Sequence, residues 1–387
     1  MKSLFGYGGT IKSIAKSGNW NIFDDKFTSI SKDKFGNILL PSNKFNPNES
    51  SLEITTPGIS PSNPLIKKAK NLISEYDYFY PFPFSIWITG TNGKTTTTEM
   101  IKYLIPEGEI GGNIGNPLAN LNKNANIWIL ETSSFTLHYT KIAKPNIFIL
   151  LPITPDHISW HGSFEEYKKA KLSAMDRMSE RDIAIIPKEF ENYKTNAYKI
   201  TYSSSEDLIK YFNFKETTFN EPFRLDEVLA KAVYKILYFK EKSLKNFKID
   251  PHKIEEFFDN KNRLWVDDSK ATNVDATIQA LKRYKDKKIY LILGGDSKGQ
   301  NLKPLFKELK KYNIELFLIG KDMTNFEKLA KEYNISYINC STLNKAINEI
   351  NYEFNDGVAL LSPASASLDQ FKNYKERGEI FKKLVLK

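Results

Sequence analysis

Cysteine is nearly absent from this chain: Cys340 is the only one in 387 residues. One thiol excludes an intramolecular disulfide framework, and with no second Cys beside it there is no cysteine-built zinc site. Long apolar runs are missing too, since none approaches the ~20 residues needed to cross a bilayer. The opening MKSLFGYGGT has one lysine and too short an apolar stretch for a signal-peptide core. There is no internal repeat, and the only low-complexity stretch is the threonine run Thr95–Thr98. The expectation is a soluble, cytoplasmic protein with no membrane partner, most simply a monomer. Acidic charge is in deficit, leaving a net +10. The lysines are nevertheless scattered (IKKAKNL, YKKAKL, LKRYKDKKIY, FKELKKY) over polar helix faces. That pattern reads as general surface, not a nucleic-acid footprint, and it also suits an anionic small substrate.

The length suits two or three domains, and three blocks emerge. Residues 1–82 open with LFGYGGTIKSIA and reach acidic residues at IFDDK, a small Rossmann-type pattern. YPFPFS marks a linker. Residues 83–259 alternate strands (FSIWI, IWIL, NIFILL, DIAII) with helical stretches such as SFEEYKKAKLSAMDRM and RLDEVLAKAVYKILYF. Residues 260–387 alternate again, from LWVDDS through IYLILGGD, ELFLIG and VALLSPA to a final helix ending near Leu386. Alternation of this kind predicts α/β domains with mostly parallel sheets and helices on both faces.

The stretch WITGTNGKTTTT carries the chemistry. An apolar strand, a Gly-rich loop and a helix start form the context of a phosphate loop. Backbone N–H groups from Gly90 to Gly93 would face an anion, Lys94 would add charge, and the Thr95 hydroxyl could bind Mg²⁺. The strict eight-residue pattern is broken, because Ile88 stands where its first Gly belongs, so an ordinary Gly-rich turn stays open. Glu131 ends IWIL, and His157 follows NIFILL in PITPDHISWHGSF. Both fall at strand ends, where open α/β sheets bind ligands, so they are candidate Mg²⁺ ligands. A capping or loop carboxylate and a histidine tied to a backbone carbonyl are the plainer readings. GGNIGNP offers exposed N–H groups and the Asn113 amide, or a tight turn. Lys171, among the lysines of YKKAKLS, reads by itself as a solvated helix residue.

TGTNGKTTT, GGNIGNP, ETSSF, TPDHISWHGSFEEYKKAKL, DDSKATN, LGGDSKG and LLSPASASLDQFKNYKERG occur in this order over most of the chain. Together they resemble the Mur ligases, ATP-dependent enzymes that add amino acids to UDP-N-acetylmuramic acid, and the last three resemble the branch that adds D-glutamate. The resemblance implies three domains: two Rossmann-like units flanking a central P-loop ATPase domain. It implies ATP on Gly90, Thr91, Asn92, Gly93, Lys94, Thr95 and Thr96, with Arg263 and Asp268 reaching its phosphates and ribose. One Mg²⁺ would lie on Thr95 and Glu131, a second on His157 and on Lys171 carrying a CO₂-derived carbamate. Lys94, His157 and Lys171 are thereby the catalytic candidates. UDP-N-acetylmuramoyl-L-alanine would meet Asn113 and Phe135, with Asp24, Asp25 and Lys26 at the UDP. D-glutamate would meet Lys270, Thr272, Lys298, Ser367 and Tyr374, the last standing where Phe is usual.

Beyond Tyr374, two departures accompany the likeness, and two residues have a plainer reading. The family's adenine-facing Asn is replaced by Asp226. The hairpin usual between the Arg and the Asp-Ser-Lys segment has no room in NKNRLWVDDSK. Thr272 and Ser367 could simply cap helices. The alternatives are a ligase for another amino acid, a folylpolyglutamate synthetase-like enzyme, or a non-catalytic nucleotide-binding protein. DDSKATN and SLDQFKNY speak against the first two.

Overall fold

In the computed structural model, which describes residues 1–387, the apolar runs have become strands of three six-stranded sheets. The first holds β1 (Lys2–Phe5), β2 (Asn21–Phe23), β3 (Ser31–Lys32), β4 (Ile38–Leu40), β5 (Leu52–Thr55) and β6 (Leu72–Ile73), in the order β3-β4-β2-β1-β5-β6. Its strands are parallel except for the β3–β4 pair. With it come α1 (Gly9–Ala15), α2 (Pro64–Lys68) and α3 (Glu75–Phe79).

The second sheet is parallel throughout. Its strands are β7 (Phe84–Thr89), β8 (Glu109–Gly112), β9 (Ile127–Glu131), β10 (Ile147–Leu150), β11 (Ile183–Pro187) and β12 (Tyr198–Tyr202), ordered β12-β11-β10-β7-β9-β8. Around it run α4 (Lys94–Leu104), α5 (Ser134–Tyr139), α6 (Ile158–His161), α7 (Phe164–Leu172), α8 (Ser205–Phe212) and α9 (Phe223–Tyr238). Parallel strands are buried on both faces, which is why β10 reads as the unbroken run IFIL, every residue of it buried. Trp87, Trp128 and Phe148 fill one face, and Met100, Ile101 and Leu104 bury the inner stripe of α4.

The third sheet contains β13 (Glu255–Phe258), β14 (Leu264–Asp267), β15 (Ile289–Gly294), β16 (Ile314–Ile319), β17 (Tyr337–Ser341) and β18 (Val358–Leu361), ordered β13-β14-β18-β15-β16-β17. Only β13–β14 is antiparallel. Its helices are α10 (Val274–Arg283), α11 (Lys303–Leu309), α12 (Met323–Tyr333), α13 (Leu343–Glu353) and α14 (Tyr374–Val385). The chain parts into two compact units, Met1–Phe247 and Lys248–Lys387. The first two sheets lie in the first unit. The third begins ahead of residue 260, because β13 pairs with β14. No helix is long and apolar enough to cross a membrane.

Trp128 has no exposed surface, stacks on Phe82 at 5.4 Å and donates from Nε1 to Asn122 O at 3.0 Å. Trp128→Ala should therefore cost the first unit ~3–5 kcal/mol, read as a lowered urea midpoint. An unchanged midpoint would contradict this account of the core.

Candidate functional site

The site starts from register. β7 lies between β10 and β9, and pairing of Thr89 with Leu150 and of Ile88 with Glu131 brings three strand ends level. The β7–α4 loop, Gly90–Gly93, emerges at that edge. Gly90 has φ +143°, and a Cβ there would stand 2.4 Å from Leu151 Cβ; Gly93 has φ +84°, with Asp226 Oδ1 at the same distance. Side chains are thus excluded at both positions, and the loop backbone can approach a ligand closely. Asp226, placed by sequence near adenine, accepts from Thr97 Oγ1 at 2.9 Å and joins α9 to α4 beneath the loop. Thr91 Oγ1 donates to Thr154 O at 3.0 Å and accepts from Thr154 N at 2.9 Å, so this hydroxyl anchors the loop.

Glu131 is the last residue of β9, not a loop or capping carboxylate; the cap of α5 is Ser133. Its Oε2 accepts from Thr95 Oγ1 at 2.8 Å and its Oε1 from Asn113 Nδ2 at 2.6 Å. Asn113 N also donates to Glu131 O at 2.8 Å. One carboxylate therefore ties the phosphate-loop helix to the GGNIGNP loop. Lys94 Nζ donates to Thr91 O at 2.7 Å and Gly90 O at 3.1 Å. Burial lowers its pKa, opposed by the charges of Glu131 and Asp156.

Lys171 overturns its surface reading. It is 1% exposed, in the last turn of α7, under the ring of Tyr167 at 4.7 Å. Its Nζ donates to Gly90 O at 2.7 Å and more weakly to Thr89 Oγ1 at 3.4 Å. Burial first, and then the charge of Lys94, hold it well below the ordinary lysine range. The YKKAKL pattern hid this, because two of its lysines are surface residues and the third turns inward. His157 is exposed and left-handed (φ 51°), with its ring 4.8 Å from that of Phe135; its Nε2 lies 3.6 Å from Asp156 Oδ2. Asp156 was missed in the sequence. Its charge reaches both Lys94 and Lys171, and its only signal was a place beside His157.

In the first sheet, Asp24, Asp25 and Lys26 follow β2: Asp24 Oδ1 accepts from Lys26 N at 2.8 Å, and Asp25 accepts from the Ser42 hydroxyl. In the second unit, Asp268 is buried and accepts from Ser362 Oγ at 2.7 Å and Ile254 N at 3.2 Å. Burial pushes its carboxyl up to about 8 against those hydrogen bonds. Lys270 is exposed, its Nζ 4.3 Å from the centre of the Tyr374 ring. Lys298 is exposed and left-handed (φ 50°). Neither Thr272 nor Ser367 caps a helix: Asn273 caps α10, and Ser367 is buried ahead of α14, whose cap is Asn373.

Arg263 sits at the turn of the β13–β14 hairpin, the hairpin for which the sequence had left no room. Its guanidinium pairs with Asp259 at 2.7 Å and also holds Asn351. The basic residue immediately ahead of that hairpin is Lys253. Sequence reading also missed Arg377, 1% exposed, which donates to Ser269 Oγ at 2.9 Å, Ser269 O at 2.8 Å and Ser365 O at 3.1 Å. It fastens DDSKATN to SPASASLDQ.

Comparison with known proteins gives the family. Residues 88–249 match the Mur ligase middle domain. Over its full length the chain is 51% identical to the UDP-N-acetylmuramoylalanine--D-glutamate ligase of Campylobacter jejuni, covering 99% of that protein. It is 46% identical to the Helicobacter pylori protein of the same name, again over 100% of this chain and 99% of that one. Among solved structures, the Thermotoga maritima MurF ligase in complex with ADP superposes with a TM-score of 0.60 at 18% identity, over 87% of this chain and 90% of that one. The T. maritima UDP-N-acetylmuramate-alanine ligase MurC gives 0.54 at 14% identity, over 99% and 98%. These two likenesses concern the fold alone.

Arg377→Met would strand the Ser269 and Ser365 carbonyls in the interior, at a cost of ~3 kcal/mol, while the Ser269 hydroxyl keeps Tyr374 O. Hydrogen exchange should accelerate across residues 248–387 while the first unit stays protected. Unchanged protection there would remove Arg377 as the fastener.

Proposed function

Because the chain belongs to the Mur ligase family, we propose that it joins D-glutamate to UDP-N-acetylmuramoyl-L-alanine with ATP, a step of peptidoglycan precursor synthesis. The observation that carries this is the end-to-end likeness to the D-glutamate ligases. A carboxylate does not react with an amine at neutral pH, because its oxygen leaves poorly. Transfer of the ATP γ-phosphoryl to the substrate carboxylate makes an acyl phosphate, which the amine of D-glutamate attacks, releasing phosphate. Two anions must meet for the first step, so catalysis is positioning and supply of positive charge. Dependence on ATP and a nucleotide-linked substrate suits the cytoplasm.

In this reading the N–H groups from Gly90 to Thr96 and the Lys94 ammonium hold the ATP phosphates. The first unit would carry the UDP-substrate part, residues 1–82, and the P-loop part after it. Thr95 Oγ1 and Glu131 Oε2, 2.8 Å apart, are hard oxygen donors that fit Mg²⁺. When bound, the ion neutralises charge on the phosphates. His157 with Lys171 does not fit a second Mg²⁺ while Lys171 is an amine. A carbamate would supply the missing anionic oxygen, and the depressed pKa favours the neutral amine that CO₂ addition needs. Asn113 and Phe135 would contact the muramoyl portion, and Asp24, Asp25 and Lys26 the UDP. In the second unit, Lys270 and Lys298 would offset the dianionic D-glutamate, with Thr272, Ser367 and Tyr374 around it, and Asp268 would face the ribose. Lys253 replaces Arg263 as the cation proposed for the ATP phosphates, since Arg263 is paired with the buried carboxylate of Asp259, whereas the Asp250 carboxylate 3.1 Å from Lys253 Nζ is exposed.

Phosphate release should require ATP, UDP-N-acetylmuramoyl-L-alanine and D-glutamate together. Equal release with another amino acid, or without one, would sink the assignment. Lys171→Ala should be folded yet nearly inactive, and acetate or formate, but not chloride, should restore part of the rate. Protonation breaks a carbamate, so CO₂ depletion at mildly acidic pH should slow the wild type and bicarbonate should reverse this. A fully active Lys171→Ala protein would take Lys171 out of the mechanism.

A further inference from the structure

Residues 75–77 belong to none of the motifs above, yet their three successive side chains each hold a different loop of the candidate site. They open α3, directly after β6 of the first sheet and its cap Ser74. Glu75, 6% exposed, faces the backbone N–H groups of Leu118 and Ala119, where the GGNIGNP loop bearing Asn113 ends; burial raises its carboxyl to about 7 against their pull, and its Oε1 has no partner. The Tyr76 hydroxyl lies 3.2 Å from Thr132 Oγ1, next to Glu131. Its oxygen also presses on Gly112, where a Cβ would stand 2.7 Å away. Asp77 Oδ1 accepts from Ile142 N and Ala143 N, and its Oδ2 from Lys141 N, each at 2.8 Å. Those amides follow α5, which carries Phe135.

A helix cap alone would account for Asp77, which completes a capping box with Ser74. It would not account for three long-range amides on one carboxylate. Nor would core packing account for Glu75, a carboxyl set inside the fold beside the backbone donors of a distant loop. The two carboxylates and the tyrosine bracket the Asn113–Glu131 pair and the Phe135 helix from one short segment. That segment is continuous with the sheet that carries Asp24, Asp25 and Lys26.

We propose that Glu75, Tyr76 and Asp77 are positioning residues for the muramoyl nucleotide, fixing the loops of Asn113, Glu131 and Phe135 relative to the first sheet. This rests on the ligase reading. None of the three touches substrate; they act through the loops they hold. Misplaced loops would weaken binding of the muramoyl substrate specifically, because the residues proposed for D-glutamate all belong to the second unit.

The test uses the full chain and steady-state phosphate release, with thermal melting to confirm folding. Losing the acceptor should raise the KM for UDP-N-acetylmuramoyl-L-alanine about tenfold in Glu75→Ala, with the D-glutamate KM moving less than about twofold. Glu75→Gln keeps an oxygen that accepts both amides and should stay near wild type. Asp77→Asn keeps one oxygen for Ile142 N and Ala143 N but sets its NH₂ against Lys141 N, and should show the same selective rise, so it decides the matter if Glu75→Ala does not fold. A folded Asp77→Asn or Glu75→Ala protein with a wild-type KM for the muramoyl substrate would overturn the proposal. So would a fall in kcat alone with both KM values unchanged, the mark of a merely structural role. A wild type inactive on this substrate pair would instead remove the ligase reading, and the inference with it.

Discussion

The Glu131 carboxylate is the junction on which the first unit's site depends. One oxygen takes the Thr95 hydroxyl and the other the Asn113 amide, so the phosphate-loop helix and the GGNIGNP loop are placed against each other by a single side chain. That works only because the sheet is parallel and in register, delivering β7, β8, β9 and β10 to one edge at one level. In a parallel sheet the apolar strands leave no room for polar groups except at their ends, so the chemistry gathers there. The glycines at 90 and 93 then allow the neighbouring chain, Leu151 and Asp226, to close in beneath the loop.

Burial sets the electrostatics around that junction. Two lysines converge on one carbonyl, and desolvation disfavours the charge of each. Asp156 and Glu131 oppose the effect without abolishing it. The second unit shows the mirror case, in which Asp268 is driven toward its neutral form and held by donors from Ser362 and Ile254. Groups read in the sequence as ready-made ions are therefore held inside the fold, with their protonation set by their surroundings.

The α/β class, the parallel sheets and the strand–loop–helix at Gly90 could be read from the sequence, because they follow from apolar runs and from glycine. The β13–β14 hairpin could not: EEFF is not an apolar run, and its antiparallel pairing answers to no alternation of strands and helices. Arg263 was consequently placed by sequence neighbourhood, when its partners, Asp259 and Asn351, are set by the fold. Lys171 shows the same limit, since nothing in a row of lysines tells which one points inward. The roles of Arg377 and of Glu75 to Asp77 lie in contacts with groups far away in the chain, most of them backbone, and such contacts leave no local signature.

Gly90 O, which receives hydrogen bonds from both Lys94 and Lys171, has a consequence for discrimination among anions. A Lys94 ammonium already bonded to Gly90 O and Thr91 O is not available to every passing ion. On the function proposed above, a single phosphate offers too few contacts to draw it off, whereas the linked phosphates of a nucleotide would engage the loop amides and Lys94 together. The loop should consequently favour linked phosphates over a solitary one, so that free phosphate competes poorly for it.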